Sequence, residues 1–293
     1  MKRPGSTPAG YPAPVATLSV EPNPKVPCRV VLDAGDVIVV EKPPGLPTQP
    51  GKGHERDTLL NGLFAEYGSR LQNLGAARDF GLLHRLDRMA SGLVVVALMP
   101  RAYDALREAF ADRRVDKRYW AIVFGTPSKA AGVIRASIVE GTDARGRKVA
   151  RVVRGRVRDA KPAVTAYRVI SSGKQASMVE CRIGTGRLHQ IRAHMAALGH
   201  PVAGDDIYAD PGTRRMAHRL ALHAFLLGFA HPVTGEPVRV VSPWPGDLRG
   251  PCLRLGLRIP APTDDQTDDQ ATPTPDDEGV IDGDDGPEGV CPA

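Results

Sequence analysis

Short apolar runs separated by turn residues dominate the first part of the chain. Residues 30–32 and 37–40 flank Asp33-Ala34-Gly35-Asp36, and this pattern predicts two strands joined by a turn. Residues 93–97 follow a Ser-Gly pair and predict a buried strand. Residues 119–125 are apolar at successive positions, which is typical of a central strand that is covered on both faces.

Three segments instead have apolar residues at helical spacing. The first should begin after a cap at Asp57 and end at Gly68. The second should begin at Pro100, because proline is favoured in the first helical turn. The third should begin at Arg187, directly after a Gly-Thr-Gly turn, and end at Gly199.

Composition limits the class of protein. The 293 residues are 42% hydrophobic, and no run of about 18 apolar residues suggests a membrane span. Residues 1–5 lack the apolar stretch of a signal peptide, so we expect a cytoplasmic protein. The four cysteines are scattered and form no C-x-x-C pair, so neither a zinc site nor a disulfide framework is predicted.

Charge divides the chain into two unequal parts. Residues 261–293 carry a formal charge of −11 and no Lys or Arg, and since the whole chain is +6, residues 1–260 carry +17. A body this basic suits a polyanionic partner, and its binding should depend on salt. Nucleic acid is favoured over a membrane surface, because no basic amphipathic helix is evident.

These patterns predict three regions. Residues 1–26 should be a Pro-rich flexible extension, residues 27–260 a folded domain, and residues 261–293 an acidic disordered tail. The tail could compete with a polyanion for the basic body, but a solubilising role is the preferred interpretation.

Candidate chemistry is concentrated in His84-Arg85-Leu86-Asp87-Arg88. Flanking arginines favour the charged form of Asp87, which would place an anionic nucleophile or base in a surface that attracts anions. The alternative is a local cap or ion pair in a solvated turn.

A second basic segment covers residues 145–161, where eight cations accompany one carboxylate. It predicts a ribbon that contacts phosphates, against the alternative of a solvated charged ribbon. The side chains predicted to contact a nucleic-acid backbone are Lys117, Arg118, Arg147, Lys148, Arg151 and Arg154.

Five ordered segments between about residues 30 and 245 resemble the RluA-type RNA pseudouridine synthases. They are residues 36–47 (DVIVVEKPPGLP), residues 84–93 (HRLDRMASGL), residues 117–121 (KRYWA), residues 186–208 (GRLHQIRAHMAALGHPVAGDDIY) and residues 222–224 (LHA). The chain departs from the family pattern at Met89-Ala90, where Asp-Thr is usual, and at Leu188, where threonine is usual.

This resemblance implies an α+β fold, with a mixed, mostly antiparallel sheet, flanking helices and a central cleft. It implies an RNA pseudouridine synthase that isomerises uridines in large-subunit ribosomal RNA or in transfer RNA. No cofactor and no metal are expected, and a monomer is the default expectation. His189 and His194 are five residues apart, which is not the spacing of a helical zinc pair.

By the same resemblance, the catalytic residues would be Asp87, Tyr119 and Arg187. Asp87 would be the catalytic carboxylate, Arg187 would pair with it, and Tyr119 would pack against the target base and could relay a proton at the base carbon. Leu222 would close the pocket, and Arg85 would fill the gap left by a base that leaves its stack. The residues expected to bind substrate are His84, Arg85, Arg88, Leu222, His189, Gln190 and Arg192.

An RNA-modifying enzyme has two alternatives from other classes of protein. A non-catalytic RNA-binding or ribosome-assembly protein would not need Asp87, Tyr119 and Arg187 together. A kinase-like catalytic loop is excluded, because the chain lacks a Gly-rich phosphate loop and has Gly92 where that loop requires asparagine.

Overall fold

The computed structural model describes residues 18–261 and 273–275. Within this part of the chain, ten strands form a single sheet. The strands are β1 (Arg29–Asp33), β2 (Val37–Lys42), β3 (Ser91–Ala97), β4 (Asp116–Phe124), β5 (Ala131–Thr142), β6 (Lys148–Val153), β7 (Lys161–Ser172), β8 (Ala176–Ile183), β9 (Leu222–Ala230) and β10 (Pro237–Val241). The helices are α1 (Leu59–Leu74), α2 (Pro100–Ala111), α3 (Gln190–Ala197), α4 (Pro211–Arg215) and α5 (Gly246–Arg254).

The strand order is β1-β2-β3-β9-β4-β8-β7-β5-β6, and β10 pairs with β9 outside this path. Every pairing is antiparallel except the short contact between β3 and β9, where Ser91 faces His223 and Gly92 faces Ala224. The predicted α+β class with a mixed, mostly antiparallel sheet is therefore confirmed. The parallel contact brings the loop before β3 next to the start of β9.

Strand β4 lies at the centre of the sheet, between β9 and β8. Tyr119, Ala121 and Val123 pack into one hydrophobic cluster, whereas Trp120 and Ile122 pack into another. Because successive side chains point to opposite faces, both faces of this strand are covered. The prediction of a doubly covered central strand is confirmed.

Helix α1 begins and ends later than its sequence pattern predicts. Its N-cap is Thr58, whose backbone N–H donates to Asn61 Oδ1 at 3.1 Å while Thr58 Oγ1 accepts from the Asn61 N–H at 3.4 Å. The helix has a kink at Tyr67 (φ −124°, ψ 18°) but continues through Gly68 to Leu74, because Gly68 does not adopt the positive φ of a helix-terminating glycine.

Residues 18–26 pack against α1, although the sequence assigns them to a flexible extension. Val20 and Val26 are buried, and the Asn23 N–H donates to the Asn61 carbonyl at 2.9 Å. In the predicted acidic tail, Pro275 is buried beside Gly184. The predictions for residues 1–17, 262–272 and 276–293 lie outside the described residues.

Within the described residues, no helix combines the length and the apolar character needed to cross a bilayer. Helices α1 to α5 lie around the sheet. A cleft opens where β4 and β9 meet the loop before β3 and the loop before α3.

Candidate active site

Asp87 lies in the loop before β3, and hydrogen bonds from the loop after β2 hold the backbone on both sides of it. The Gly45 N–H donates to the Arg88 carbonyl at 2.8 Å. Thr48 Oγ1 donates to the Leu86 carbonyl at 3.0 Å and accepts from the Leu86 N–H at 3.2 Å. The loop after β2, which begins with Pro-Pro-Gly and includes Thr48, therefore holds Leu86 and Arg88, the residues on both sides of Asp87.

Lys42 is a supporting residue that the sequence interpretation missed. It is fully buried, and its Nζ donates to the carbonyls of Pro43 at 2.8 Å, Leu46 at 2.8 Å and Arg88 at 3.2 Å. Burial lowers the pKa of Lys42 to about 7, although the nearby charge of Asp87 works in the opposite direction. A lysine at the end of a buried strand, directly before Pro-Pro-Gly, was the available signal.

Arg192, and not Arg187, is the partner of Asp87. Its Nη1 donates to Asp87 Oδ2 at 3.1 Å. The same guanidinium donates to both carboxylate oxygens of Asp205, at 2.8 and 2.7 Å, and Asp205 is fully buried. Burial opposes the charge of Arg192, but its hydrogen bonds and attraction to Asp205 and Asp87 raise its pKa above the usual value. A fixed cation therefore faces Asp87.

The predicted pairing of Arg187 with Asp87 is wrong because α3 begins at Gln190, three residues later than expected. Arg187 lies in the preceding loop, where it is half-buried at the edge of the cleft, and its Nε donates to the Pro162 carbonyl at 3.3 Å. His189, with φ of 49°, reverses the chain before the helix. Arg192 is therefore the arginine that the first turn of α3 directs into the cleft.

Gln190 organises this loop and has no polar atom left for substrate. Its Oε1 accepts from Thr185 Oγ1 at 2.7 Å and from the Arg187 N–H at 3.1 Å. Its Nε2 donates to the Val164 carbonyl at 2.9 Å and to Thr165 Oγ1 at 3.1 Å. The predicted substrate contact of Gln190 is therefore replaced by a structural role.

His189 lies beside the catalytic candidate. Its Nε2 is 4.0 Å from Asp87 Oδ1, and its Nδ1 is 3.0 Å from the Tyr208 hydroxyl. The Tyr208 oxygen also accepts from the Ala150 N–H at 2.7 Å. Burial lowers the pKa of His189, while the charge of Asp87 opposes that shift. If Tyr208 donates to Nδ1, the proton of the neutral ring lies on Nε2, facing Asp87.

Tyr119 and Leu222 form apolar walls of the same cavity, which has a volume of about 490 Å³ and is also lined by Asp87, His189 and Arg192. Tyr119 and Leu222 are 6% and 5% exposed. The β4–β9 register shifts between Arg118 and Tyr119, and bulges of this kind redirect side chains beside sites. Burial, with the charge of Asp87, raises the pKa of Tyr119, so its phenol stays protonated at neutral pH.

His84 and Lys117 form another wall of this cavity. His84 Nε2 accepts from the Val95 N–H at 3.2 Å, and its ring stacks on Phe110 with centroids 5.5 Å apart. Burial lowers its pKa to about 3, and Lys117 adds to the effect. Lys117 lies 5.0 Å above the Phe110 ring, and burial lowers its pKa to about 8. Lys117 is thus inside the cavity and not on the predicted outer RNA path.

Arg118 is wrongly placed in the predicted set of backbone-contacting residues. It is 4% exposed, with Nη2 2.8 Å from Asp116 Oδ2 and Nη1 3.4 Å from Glu180 Oε1. Because Arg118 alternates with Tyr119 along β4, it points to the opposite face of the sheet. It therefore joins an internal ion-pair network.

The other predicted cations lie at the surface around the cleft. Arg85 is exposed at the first cavity, and exposed Arg88 is 3.1 Å from His54 Nε2. Arg147 pairs with Asp143 at 2.8 Å and Asp206 at 3.4 Å. Lys148, Arg151 and Arg154 are exposed along and just beyond β6. Their contacts with RNA remain predictions.

The described residues contain no group of three or more His, Cys, Asp or Glu side chains arranged to hold a metal ion. What the site brings together is a carboxylate with a fixed guanidinium, a neutral phenol and an apolar wall, inside a basic cleft. This combination defines an enzyme that acts on a polyanion by carboxylate chemistry.

Comparison with known proteins specifies the family. A sequence model described as RNA pseudouridylate synthase matches residues 36–197. The chain is 38% identical over 234 residues to the ribosomal large subunit pseudouridine synthase D of Zymomonas mobilis, covering 76% of this chain and 71% of that protein. It is 40% identical over 220 residues to an uncharacterized RNA pseudouridine synthase of Mycobacterium bovis, covering 73% and 68%.

A solved structure gives the same result. Human RNA pseudouridylate synthase domain containing 1 superposes with a TM-score of 0.63 at 28% identity, covering 88% of this chain and all of that one (100%). The chain belongs to the RNA pseudouridylate synthase family. It is accordingly an RNA pseudouridine synthase, an isomerase whose substrate is RNA.

Proposed function

We propose that this enzyme converts uridine to pseudouridine in large-subunit ribosomal RNA, with Asp87 as the catalytic carboxylate. The observation that carries the proposal is the position of Asp87, which Arg192 holds at 3.1 Å at a cavity walled by Tyr119 and Leu222. The ribosomal substrate is supported by the similarity to the synthase of Zymomonas mobilis, whose name specifies the large ribosomal subunit. Transfer RNA has no such support among the relatives described above.

The target uridine must leave its stack to reach Asp87. Unstacking costs a few kcal/mol and is cheapest in a single-stranded loop. The cavity of about 490 Å³ accepts a single nucleoside, with its base between Tyr119 and Leu222. Arg85 is exposed at the cavity edge, where it can occupy the space that the base leaves in the RNA.

The reaction is an isomerisation, so every atom is retained. The bond between N1 of uracil and C1′ of ribose breaks, the base rotates, and C5 forms a new bond to C1′. C5 then loses its proton and N1 gains one. Asp87 begins this sequence as an anion, either by attacking C1′ or by removing the 2′ proton. Both routes use the Asp87 carboxylate that the Arg192 guanidinium holds in place by a hydrogen bond of 3.1 Å.

Tyr119 acts mainly as a neutral wall in this proposal. Its raised pKa keeps the phenol protonated, so little phenolate is present to take the C5 proton, and that favours packing against the base over removal of the proton. His189 Nε2, at 4.0 Å from Asp87, is placed to hydrogen-bond the carboxylate when the site closes on RNA.

The proposal is tested with purified protein and two RNA substrates, which are unmodified transcripts of large-subunit ribosomal RNA and of transfer RNAs. Pseudouridine is measured by mass spectrometry after single-turnover incubation with the parent protein and with Asp87→Asn. The expected result is formation at one or a few ribosomal positions, abolished in the variant. Formation only in transfer RNA would overturn the substrate, and equal formation by Asp87→Asn would overturn the catalytic role.

We also propose that the enzyme works as a cytoplasmic monomer. A single chain already brings together the catalytic candidate, its guanidinium partner and the cavity walls. Light scattering of purified protein and fractionation of cells test these two points, and a stable dimer or membrane-pelleted enzyme would contradict them.

A further inference from the structure

A second cavity, of about 910 Å³, adjoins the site just described. It shares Asp87, His189 and Arg192 with the first cavity and extends from them toward α4 and the start of β6. The two cavities thus meet at the catalytic candidate. A chain molecule that places one unit in the first cavity would place its neighbouring unit in or beside the second.

The lining of the second cavity is strongly basic. Six lysine and arginine side chains face two carboxylates, Asp87 and Asp206. Arg192 and Arg219 are already engaged, the first by Asp205 and the second by Asp247 at 2.6 Å. Within the described part of the chain, four exposed members have no carboxylate partner. Arg88 lies 3.1 Å from His54 Nε2, and the other three are Lys148, Arg214 and Arg215.

Local structure holds the two arginines at the edge of this cavity. Asp210 caps α4 by accepting from the N–H groups of Gly212 and Thr213 at 2.7 and 3.2 Å. Thr213 is buried, and its carbonyl accepts from the Gly204 N–H at 3.3 Å. Arg214 and Arg215 follow this anchored residue directly.

Lys148 reaches the same cavity from the other side. It is the first residue of β6, where Thr142 of β5 pairs with it. The preceding residue, Arg147, is tied to Asp206 at 3.4 Å, and Ala150 donates to the Tyr208 hydroxyl at 2.7 Å. Separate elements therefore present unpaired cations to one space beside Asp87.

We propose that this second cavity binds backbone phosphates of the RNA nucleotides next to the target uridine, through Lys148, Arg214 and Arg215. The inference rests on the proposed function, which puts the uridine itself in the first cavity. Phosphate suits the site because it is an anion that neutralises unpaired cations without needing base-specific contacts. Since these residues do not touch the reacting atoms, they bind and orient the strand.

The test compares two double variants that remove the same charge. Arg214→Gln with Arg215→Gln alters the cavity. Lys129→Gln with Lys174→Gln is the matched control, since both lysines are exposed and lie outside both cavities. Lys129 and Lys174 lie in loops near the C-terminal end of β4, whereas Tyr119 lies near the N-terminal end of that strand.

Binding of a large-subunit ribosomal RNA transcript is measured between about 50 and 200 mM salt. Each lost single-strand phosphate contact should reduce the magnitude of the slope of log affinity against log salt by about 0.7. The slope of the arginine double variant should therefore be smaller in magnitude by about 1.4. Its KM should rise at least about tenfold, with a much smaller change in kcat at saturating RNA. The lysine control should keep the parent slope and KM.

Two further variants separate charge from folding. Arg214→Lys with Arg215→Lys should recover most of the salt slope, because it retains both charges. Lys148→Gln alone should lower the slope by about 0.7. Equal weakening by the arginine and lysine double variants would show general attraction to the basic surface and overturn the site. An unaltered slope in the arginine double variant would overturn it as well.

Failure of the phosphate site and failure of the proposed function have different signatures. If the parent protein forms no pseudouridine in the ribosomal transcript, the proposed function fails. If it forms pseudouridine while the arginine double variant binds and reacts like the parent, only the phosphate site fails.

Discussion

At the scale of single side chains, Arg192 is the residue on which the site depends. It is 5% exposed, and it bonds Asp205 with one edge of its guanidinium while donating to Asp87 from Nη1. An arginine can do this because its donors are fixed in one plane. A lysine at this position would offer a point charge and could not hold the same geometry.

We expect Arg192→Gln to reduce kcat/KM by at least about a hundredfold and to destabilise the fold by about 3–5 kcal/mol, because Asp205 is left buried without a cation. Adding Asp205→Asn should recover much of the stability but not the activity. Arg187→Gln should lose at most about tenfold. Urea unfolding and single-turnover assays measure these effects, and a larger loss for Arg187→Gln would contradict the assignment of the partner.

At the scale of secondary-structure elements, the sequence predicted the parts of the fold that show in its hydrophobic periodicity. Strand β4 has apolar residues facing both ways, and the structure covers both of its faces. The error at α3 came from backbone geometry. His189 adopts a left-handed conformation, which is uncommon for residues other than glycine and which no spacing rule reveals. The helix therefore begins later, and a different arginine meets Asp87.

The parallel contact between β3 and β9 is a further element-scale feature that hydrophobic patterning did not show. Gly92 has φ of 118°, and a Cβ at this position would lie 2.2 Å from the Ala224 carbonyl oxygen. Only glycine allows β9 to approach this closely. The contact sets the distance between the loop that carries Asp87 and the strand that carries Leu222.

Gly92→Ala should therefore separate these two elements. We expect a loss of at least about 2–3 kcal/mol in unfolding free energy, from backbone strain and overlap, together with a large loss of activity. Gly141→Ala is the matched control, because it lies in β5 with nothing within 4 Å of an added Cβ. Equal stability of the two variants would show that the close contact is unimportant.

At the scale of the whole molecule, the acid stability should be set by buried histidines. His194 and His223 are 0% and 1% exposed, and burial lowers the pKa of each to about 4. Burial lowers the pKa of His84 further, to about 3. In the unfolded chain all three would titrate near 6.5. Between about pH 4 and 6.5, the unfolded state therefore binds more protons than the folded state, and stability falls as pH falls.

The slope should approach about 4 kcal/mol per pH unit near pH 5, since each of the three protons contributes about 1.4. Urea unfolding at a series of pH values measures it. His223→Asn removes one of the three groups and should reduce the slope by about a third. A slope that is the same in this variant as in the parent would contradict the assignment.

The charge of the whole chain also shapes its encounter with RNA. Residues 1–260 carry +17, and the cations that the structure leaves unpaired include the three around the second cavity. Sequence charge alone could not separate such residues from Arg118, which is equally basic but is buried in ion pairs on the opposite face. Burial, which only the folded structure provides, decides which cations can meet a phosphate.

The central claim is that Asp87 carries the isomerisation of uridine in large-subunit ribosomal RNA. The most direct measurement is mass-spectrometric mapping of pseudouridine in ribosomal RNA from cells that express only Asp87→Asn. Cells expressing Asp159→Asn, a change at an exposed loop residue, are the control. We expect one or a few large-subunit sites to vanish with Asp87→Asn and to persist in the control. Persistence of every site with Asp87→Asn would contradict the account.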